Sequence, residues 1–565
     1  RPRCPQGDDA RGFGYQTSED CLYLNVFTPN ISDGRKRAVM FYVPGGAYQL
    51  GGADIYDYKG AVRNLVSRDV IVVVTQYRLS TIGFFTTFSP EFPANRGIFD
   101  VLMALRWTQN EIANFGGDPD RVTLFGHSAG AVITDALSYS PLAKGLFQQV
   151  LIQSGPILDG FTYDFITFFK IPWIPTGYGR NSTADEERVV KLCNITDLRV
   201  PARNATIRRL QHCFSRMTGE AMVAVDKGSR LFGVTLDGVI FPLVPSANLA
   251  RLAPNYAIMQ GDTPDEYAFS IDEVAAGNIS GVNETTLDYY LQKNVQYLSK
   301  DQLATYKRAV LSFYTPNRTL AADDHLGWTK MVSRVISDHN FFGPARKELQ
   351  WYKTNGNSRN VFLYSYDHFN SFCRNNFAVE GWMPSIHCSE LCFLWFYPYE
   401  WEKAQAEGKV RPEDLRVADN LGIAWTNFAK YGNPGWSPMR DRFEYVTISD
   451  TVSDVQREWG EAANKLFNEI LPNLLKMDLP PFHIDIAVQN LIERQAPSIL
   501  KTWNNATYPT WKPLYDGELT VYPLKSQETM NAKYGRYRIS PRAASGVHLG
   551  LLHCIIITFV VALQM

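Results

Sequence analysis

Residues 121–130 read R-V-T-L-F-G-H-S-A-G, a short apolar strand that leads directly into the motif G-x-S-x-G. The serine of such a motif lies at the tip of a strand-to-helix turn, which is so tight that only small residues fit two positions to either side. Gly126 and Gly130 meet this requirement, and the helix-compatible stretch Ala129–Tyr139 follows. The sequence therefore predicts a nucleophile elbow with Ser128 at its tip. The alternative is a glycine-rich turn whose serine only caps the helix.

Strands and helices alternate on both sides of this motif. That alternation predicts an α/β protein with a central, mostly parallel β-sheet flanked by helices. Active sites of such sheets lie at the carboxyl ends of the strands, which is where Ser128 is expected. An edge strand is expected around 26–27, buried strands at 38–43, 69–75, 122–125 and 149–153, and helices at 99–115 and 129–139.

The serine hydroxyl needs a base, and the base needs a carboxylate that orients it. After an elbow of this kind the acid comes first along the chain and the histidine last. His387, in P-S-I-H-C-S-E-L, is favoured because it lies at loop distance from the strand-like run 361–366. His368 lies nearer to that run and is the alternative. Of the nine histidines, those that follow the expected acid loop within the expected catalytic domain are His325, His339, His368, His387 and His483.

The orienting carboxylate is expected in G-D-T-P-D-E, which follows the strand-like run 255–260. Its candidates are Asp262, Asp265 and Glu266, and spacing alone does not choose among them. A solvated acidic turn is the alternative interpretation.

An oxyanion hole is expected from P-G-G-A at residues 44–47, directly after the strand 38–43. Acyl transfer requires backbone N–H groups aimed at the charge that develops on the carbonyl oxygen. One such group comes from the residue after the nucleophile, here Ala129, and another from an upstream glycine-rich loop.

Four longer motifs accompany the elbow: S-E-D-C-L-Y-L-N-V-F-T-P at 18–29, N-F-G-G-D-P at 114–119, Q-S-G at 153–155 and N-F-A-K-Y-G-N-P at 427–434. In this order they resemble the type-B carboxylesterase and cholinesterase family of α/β-hydrolases, over about residues 1–525. The resemblance implies an α/β-hydrolase fold with long insertions and hydrolysis of small-molecule carboxylic esters. We expect no cofactor. The resemblance also implies that a first β-region before Cys4 is largely missing.

The resemblance carries over residue by residue. It implies that Ser128 is the nucleophile, Glu266 the acid and His387 the base, and so it decides both choices that spacing leaves open. The N–H groups implied for the oxyanion hole are those of Gly46, Ala47 and Ala129.

Three positions depart from the family's pattern. His127 stands where the family usually has Glu, Pro44 opens the oxyanion loop, and the loop between Cys4 and Cys21 lacks the Trp that holds choline in cholinesterases. We therefore expect a carboxylesterase. The alternatives are a cholinesterase-like activity and a catalytically inactive, neuroligin-like adhesion module. A further hypothesis is that His127 competes for the serine hydroxyl or becomes charged at mildly acid pH.

Eight cysteines and eight N-glycosylation sequons favour the secretory pathway. The resemblance implies the disulfides Cys4–Cys21 and Cys193–Cys213, while Cys373 has either Cys388 or Cys392 as its partner. No Cys-x-x-Cys pair stands at zinc-binding spacing, so no metal site is expected. The sequons lie at Asn30, Asn181, Asn194, Asn204, Asn278, Asn283, Asn317 and Asn505.

Residues 549–565 are almost wholly apolar and are preceded by the small residues at 543–546. We expect a catalytic domain over 1–525, a spacer over 526–548 and a tail over 549–565 that serves as a glycosylphosphatidylinositol (GPI) attachment signal. A single transmembrane tail and a plain hydrophobic tail are the alternatives. The mature protein would be extracellular or anchored at the cell surface. The net charge of −1 gives no indication of nucleic-acid binding.

Overall fold

The strands of the structure, a computed structural model, form one large sheet and one small one. The structure describes residues 1–7, 15–29, 31–56, 58–87, 89–158, 192–196, 204–224, 232–235, 237–241, 256–295, 298–316, 320–354, 361–373, 378–477, 494, 496–497 and 501, and the backbone of 522–523, 555–556 and 559–562. The strands are β1 Tyr23–Phe27, β2 Arg37–Val43, β3 Ile71–Thr75, β4 Gly117–His127, β5 Gln149–Gln153, β6 Ala257–Asp262, β7 Val361–Tyr366, β8 Tyr445–Ile448, β9 Tyr522–Pro523, β10 Ile555–Ile556 and β11 Phe559–Ala562.

The large sheet has the strand order β11-β1-β3-β2-β4-β5-β6-β7-β8. All pairs from β3 to β8 are parallel, whereas β1 pairs antiparallel with β3 and with β11. The predicted α/β-hydrolase fold with a mostly parallel sheet is therefore confirmed. The carboxyl ends of β4, β5, β6 and β7 meet at one edge of the sheet.

Helices cover both faces of this sheet. Alternate residues of β2 contribute to two separate cores, with Phe41 in one and Tyr42 in the other. The first core includes the helix Ala129–Tyr139, and the second includes Pro412–Tyr431. A strand buried on both faces is apolar along almost its whole length, and β2 and β3 are apolar except at Arg37, which begins β2, and Thr75, which ends β3.

Both predicted helices near the elbow are present. The helix expected at 129–139 is Ala129–Tyr139, and the one expected at 99–115 is the α-helix Arg96–Glu111, which continues as the 3₁₀-helix Ile112–Phe115. The α-helices are Tyr58–Asn64, Ser80–Phe84, Arg96–Glu111, Ala129–Tyr139, Asn204–Phe214, Gly219–Val223, Asp272–Ala275, Glu284–Asn294, Lys300–Tyr314, His325–Ser337, Gly343–Thr354, Leu391–Leu394, Pro398–Ala406, Pro412–Tyr431, Glu461–Ala463 and Leu471–Leu475. The 3₁₀-helices are Ala53–Ile55, Val66–Arg68, Ile112–Phe115, Pro141–Ala143 and Ala268–Ser270, and the π-helices are Asp338–Phe342 and Asn464–Ile470.

Three disulfides tie loops near the sheet. Cys4–Cys21 and Cys193–Cys213 form as the resemblance implies. Cys373 pairs with Cys392, which leaves Cys388 as a free, half-buried thiol.

Four of the sequon asparagines lie in the part of the chain that the structure describes. Asn194, Asn204 and Asn278 are exposed, whereas Asn283 is half-buried and accepts a hydrogen bond from the N–H of Thr285 at 2.8 Å. Asn30, Asn181, Asn317 and Asn505 lie outside the described residues.

The predicted tail, 549–565, contributes β10 and β11. None of the helices in the described ranges is long and apolar enough to cross a membrane. The GPI signal remains a prediction.

Candidate active site

The elbow is a sharp turn between β4 and the helix Ala129–Tyr139. Ser128 has φ 56° and ψ −129°, a backbone conformation that residues other than glycine rarely adopt. Its N–H donates to the carbonyl oxygen of Gln153 at 2.9 Å, which fixes the turn to the neighbouring strand β5. Ser128 is half-buried at the carboxyl edge of the sheet.

Close backbone contacts explain why glycines flank the serine. A Cβ atom at Gly126 would lie 2.3 Å from the carbonyl oxygen of Gly130. A Cβ atom at Gly130 would lie 2.1 Å from the carbonyl oxygen of Val43. Side chains cannot be accommodated at these separations, so the strand–turn–helix context predicted for the motif is present.

The P-G-G-A loop lies directly against the elbow. A Cβ atom at Gly45 would approach the carbonyl oxygen of His127 to 2.5 Å. Gly46 and Ala47 have φ values of 127° and 52°. Within the described ranges, the N–H groups of Gly46, Ala47 and Ala129 donate no hydrogen bond to another residue. They are thus available to an acceptor that enters from outside the chain.

The loops after β6 and β7 are paired with each other. Asp265 forms a parallel bridge with Ile386, and its N–H donates to the carbonyl oxygen of Ser385 at 3.1 Å. The next residues along the two loops therefore face each other, and His387 Nδ1 lies 2.6 Å from Glu266 Oε2. This is the acid–base pair that the resemblance implies.

Glu266 is completely buried and its second oxygen is also bound. Oε1 accepts hydrogen bonds from Ser154 Oγ at 2.5 Å and from the N–H of Thr263 at 2.7 Å. The sequence predicts no role for Ser154, although this residue lies in the Q-S-G motif that supports the resemblance. The contacts orient the carboxylate toward His387.

Aromatic rings surround the imidazole of His387. Phe269 stacks on it at a centroid distance of 5.3 Å, and Phe341 lies at 5.5 Å. Burial by itself lowers the pKa of His387, but the adjacent Cys388 and the Glu266 carboxylate outweigh burial and raise it well above 6.5. The pairing with Glu266 occupies Nδ1, so Nε2 is the ring nitrogen that remains for proton transfer.

His127, the residue before the serine, lies beside the proposed base, with its ring centroid 4.6 Å from that of His387. Its Nδ1 lies 4.0 Å from Cys388 Sγ and its Nε2 lies 3.7 Å from Glu390 Oε1. Burial, assisted by the nearby His387, holds the pKa of His127 well below 6.5. This direction opposes the hypothesis that His127 becomes charged at mildly acid pH.

The other candidate acids do not contact His387. Asp262 is the last residue of β6, because that strand runs two residues further than the predicted 255–260. Its carboxylate is buried without a hydrogen-bond partner, and burial, together with the nearby Glu266, raises its pKa well above 3.8. Burial raises the pKa of Asp265 to about 6.

The other candidate histidines are bound elsewhere. His368 Nε2 lies 2.9 Å from Asp414 Oδ1, and His325 Nδ1 lies 2.8 Å from the carbonyl oxygen of Val282. His339 is buried and stacks on Phe467. His483 lies outside the described residues.

One group of three metal-binding side chains occurs within the described part of the chain. It consists of His127, His387 and Cys388, whose ligand atoms all lie within 4.8 Å of one another. Sequence patterns do not predict this group, because its first residue is far from the other two along the chain.

Comparison with known proteins places the chain in a family. The model of the carboxylesterase family matches residues 1–468. Carboxylesterase 5A of Canis lupus familiaris is 27% identical over 82% of this chain and 76% of its own length. Human carboxylesterase 3 is 27% identical over 82% of this chain and 77% of its own length, and the acylcarnitine hydrolase of Mus musculus is 28% identical with the same two coverages. The chain belongs to the carboxylesterase family and is a carboxylic ester hydrolase.

Proposed function

We propose that this protein hydrolyses carboxylic esters through a Ser128–His387–Glu266 triad and an acyl-enzyme intermediate. The observation that carries the proposal is the buried 2.6 Å contact between His387 Nδ1 and Glu266 Oε2, at the same edge of the sheet as the strained Ser128 turn. A base held by a buried carboxylate is what an unactivated serine hydroxyl requires.

Acylation begins when His387 Nε2 takes the proton of the Ser128 hydroxyl. Oγ then bonds to the ester carbonyl carbon, and the N–H groups of Gly46, Ala47 and Ala129 stabilise the oxyanion. The C–O bond to the alcohol breaks as His387 returns the proton to the leaving oxygen. The acyl group is left on Ser128.

Deacylation repeats these steps with water. His387 takes a proton from water, whose oxygen attacks the acyl carbon. The bond to Ser128 Oγ breaks, Oγ recovers a proton from His387, and the carboxylic acid leaves. Throughout, Glu266 holds the imidazole in one tautomer and stabilises its protonated form.

Neutral esters are proposed as substrates in preference to choline esters. Tyr15 is an aromatic residue of the Cys4–Cys21 loop, and the Arg3 guanidinium already covers its ring at 4.3 Å. One face of this ring is therefore already occupied by a cation, which leaves the ring less open to a choline group. The other aromatic residue of that loop, Phe13, lies outside the described residues.

The inactive adhesion module, which is the alternative outside the enzyme class, is disfavoured because the matched relatives are carboxylesterases and an acylcarnitine hydrolase. The same fold can serve binding without catalysis. The exact pairing of His387 with Glu266, and the unused N–H groups beside Ser128, favour catalysis because an adhesion surface would need neither.

We further propose that the protein is a glycosylated product of the secretory pathway with a GPI signal in 549–565. Three disulfides and the exposed sequons at Asn194, Asn204 and Asn278 support this route. Cleavage of the signal would remove β11 and leave β1 as an edge of the sheet.

The direct test is hydrolysis of a panel of aryl, alkyl and choline esters by the full chain and by Ser128→Ala. We expect hydrolysis of the neutral esters, a fall in kcat of about 10⁵ or more in the variant, and little discrimination in favour of choline. A folded wild-type protein without activity on any ester would refute the proposal and favour the adhesion module.

A further inference from the structure

We infer that His127, His387 and Cys388 form an inhibitory binding site for a soft divalent cation such as zinc. A thiol and two imidazoles are the donors that zinc prefers in proteins. Their ligand atoms lie within 4.8 Å of one another, and the contact between His127 Nδ1 and Cys388 Sγ measures 4.0 Å. Donor atoms around tetrahedral zinc lie roughly 3.3–3.6 Å apart, so side-chain shifts on the order of 1 Å would close the group around an ion.

The surroundings of both imidazoles match those of metal-binding histidines. A metal-binding histidine usually directs its other ring nitrogen at a carboxylate, which fixes the tautomer. His387 directs Nδ1 at Glu266, at 2.6 Å, and keeps Nε2 for a ligand. His127 faces Cys388 with Nδ1, while Nε2 lies 3.7 Å from Glu390 Oε1. His387 therefore already has the carboxylate that a metal-binding histidine uses, and His127 has one nearby but beyond hydrogen-bond distance.

Two polar groups of this cluster lack hydrogen-bond partners. His127 Nε2 and Glu390 Oε2 are buried, and neither has a hydrogen-bond partner among the residues that the structure describes. Burying such groups is costly unless they are paired. A cation on His127 Nδ1 would fix the proton on Nε2, where it can be donated to Glu390. The Cys388 thiol is free and half-buried, so its sulfur is available to a metal from solvent.

Binding has a defined consequence for activity. The thiol releases its proton to solvent as the sulfur–metal bond forms, and the two imidazoles bind as neutral ligands. A metal bound to His387 Nε2 occupies the lone pair that would accept the serine proton. Inhibition therefore rests on the proposed role of His387 as general base, but metal binding itself does not.

The test compares the metal-free full chain with variants, in a buffer without thiols or chelators. Zinc is titrated into ester hydrolysis assays of the wild type, Cys388→Ser and His127→Gln. The matched control is His212→Gln, because His212 is an exposed histidine on the helix Asn204–Phe214. We expect zinc to inhibit the wild type and the control equally. Cys388→Ser and His127→Gln each remove a proposed ligand, so zinc inhibition should weaken more in them than it would after loss of an outer hydrogen-bond partner. Loss of such an outer partner weakens metal binding by roughly 10- to 100-fold.

A second readout is independent of activity. Cobalt(II) bound to a thiolate gives a near-ultraviolet charge-transfer band, which should appear with Ser128→Ala and disappear when Cys388→Ser is added. Cys388 has φ 75°, so Cys388→Gly provides a second thiol-free variant without backbone strain. A cobalt–thiolate band in a protein without esterase activity would refute the proposed function and support the metal site. Active enzyme with neither the band nor Cys388-dependent zinc inhibition would overturn the metal site alone.

Discussion

Two histidines that follow strand β7 each pair with a buried carboxylate, and only one of the pairs is suited to catalysis. His387 lies 2.6 Å from Glu266, and His368 lies 2.9 Å from Asp414. Both carboxylates are fully buried. A search for a histidine bound to an acid would select either pair.

The partners of the two carboxylates differ in charge. Asp414 also accepts hydrogen bonds from the side chain and the N–H of Arg411, at the start of the helix Pro412–Tyr431. Burial raises the pKa of Asp414, but the bonds from His368 and Arg411 outweigh burial and lower it below 3.8. This aspartate is neutralised by an arginine and helps to begin a helix, so its histidine is a structural partner.

Glu266, by contrast, accepts hydrogen bonds from the neutral hydroxyl of Ser154 and the N–H of Thr263. In the described ranges, no lysine or arginine lies within ion-pair distance of it, and its only ion-pair partner is His387. Its charge is therefore not neutralised by a lysine or arginine in this part of the chain and can stabilise protonated His387. The comparison teaches that a catalytic pair is recognised by the absence of a competing cation as much as by the short contact.

Replacement of the two histidines gives the largest expected contrast. His387→Gln removes the proposed base and should lower kcat by about 10⁴- to 10⁶-fold. His368→Gln should leave kcat within about threefold of wild type and cost roughly 1–3 kcal/mol of unfolding free energy, because it leaves Asp414 short of a buried partner. Kinetics and urea unfolding of both variants check this, and a similar kcat for the two would break the comparison.

Replacement of the two carboxylates should again lower kcat for one pair and stability for the other, with a smaller effect on kcat. Glu266→Gln loses the charge that fixes the His387 tautomer and should lower kcat by about 10⁴-fold. Asp414→Asn should instead destabilise the fold by roughly 1–3 kcal/mol with near-normal kcat. Stopped-flow hydrolysis and thermal unfolding separate the effects. Loss of activity in a folded Asp414→Asn protein would contradict the structural role.

The pH dependence should report His387. The base is active only when it is neutral, and its pKa is raised well above 6.5, so kcat/KM should rise with pH through a midpoint above 6.5. Glu266→Gln removes a charge that favours the protonated form and should shift that midpoint down. His127→Gln should leave the midpoint in place, because burial holds the pKa of His127 well below 6.5. A midpoint that shifts in His127→Gln but not in Glu266→Gln would assign the titration to His127 and contradict this prediction.

Loss of the Ser154 hydroxyl should have the smallest effect of the series. Ser154→Ala removes one hydrogen bond to the Glu266 carboxylate and should lower kcat about tenfold, which corresponds to roughly 1.4 kcal/mol. Ser333→Ala is a matched control, since Ser333 is equally buried but its hydroxyl has no partner. Equal kcat values for the two variants would remove Ser154 from the account.

The local parts of the fold could be predicted from the sequence. The elbow, β2, β5 and the helix Ala129–Tyr139 depend on short apolar runs and on glycines, whose steric requirements act over a few residues. The choice of Glu266 and His387 needed the resemblance, because the bridge between Asp265 and Ile386 that aligns their loops is a long-range contact.

Other parts of the site depend on sheet register and could not be predicted. His127 on β4 is paired with Gln153 on β5, whose amide donates to Glu390 at 3.1 Å. This register brings His127 beside Cys388 and Ser154 beside Glu266. Spacing along a single chain contains no information about such pairings, so the cluster around His127 was missed and no metal site was expected.

The most direct test of the central claim is labelling by a fluorophosphonate, which bonds covalently to an activated serine. The labelled residue is identified by mass spectrometry in the wild type, His387→Gln and His368→Gln. The account predicts labelling of Ser128 at similar rates in the wild type and His368→Gln, and a rate lower by orders of magnitude in His387→Gln. Equal labelling rates in the two variants, or a label on another residue, would contradict it.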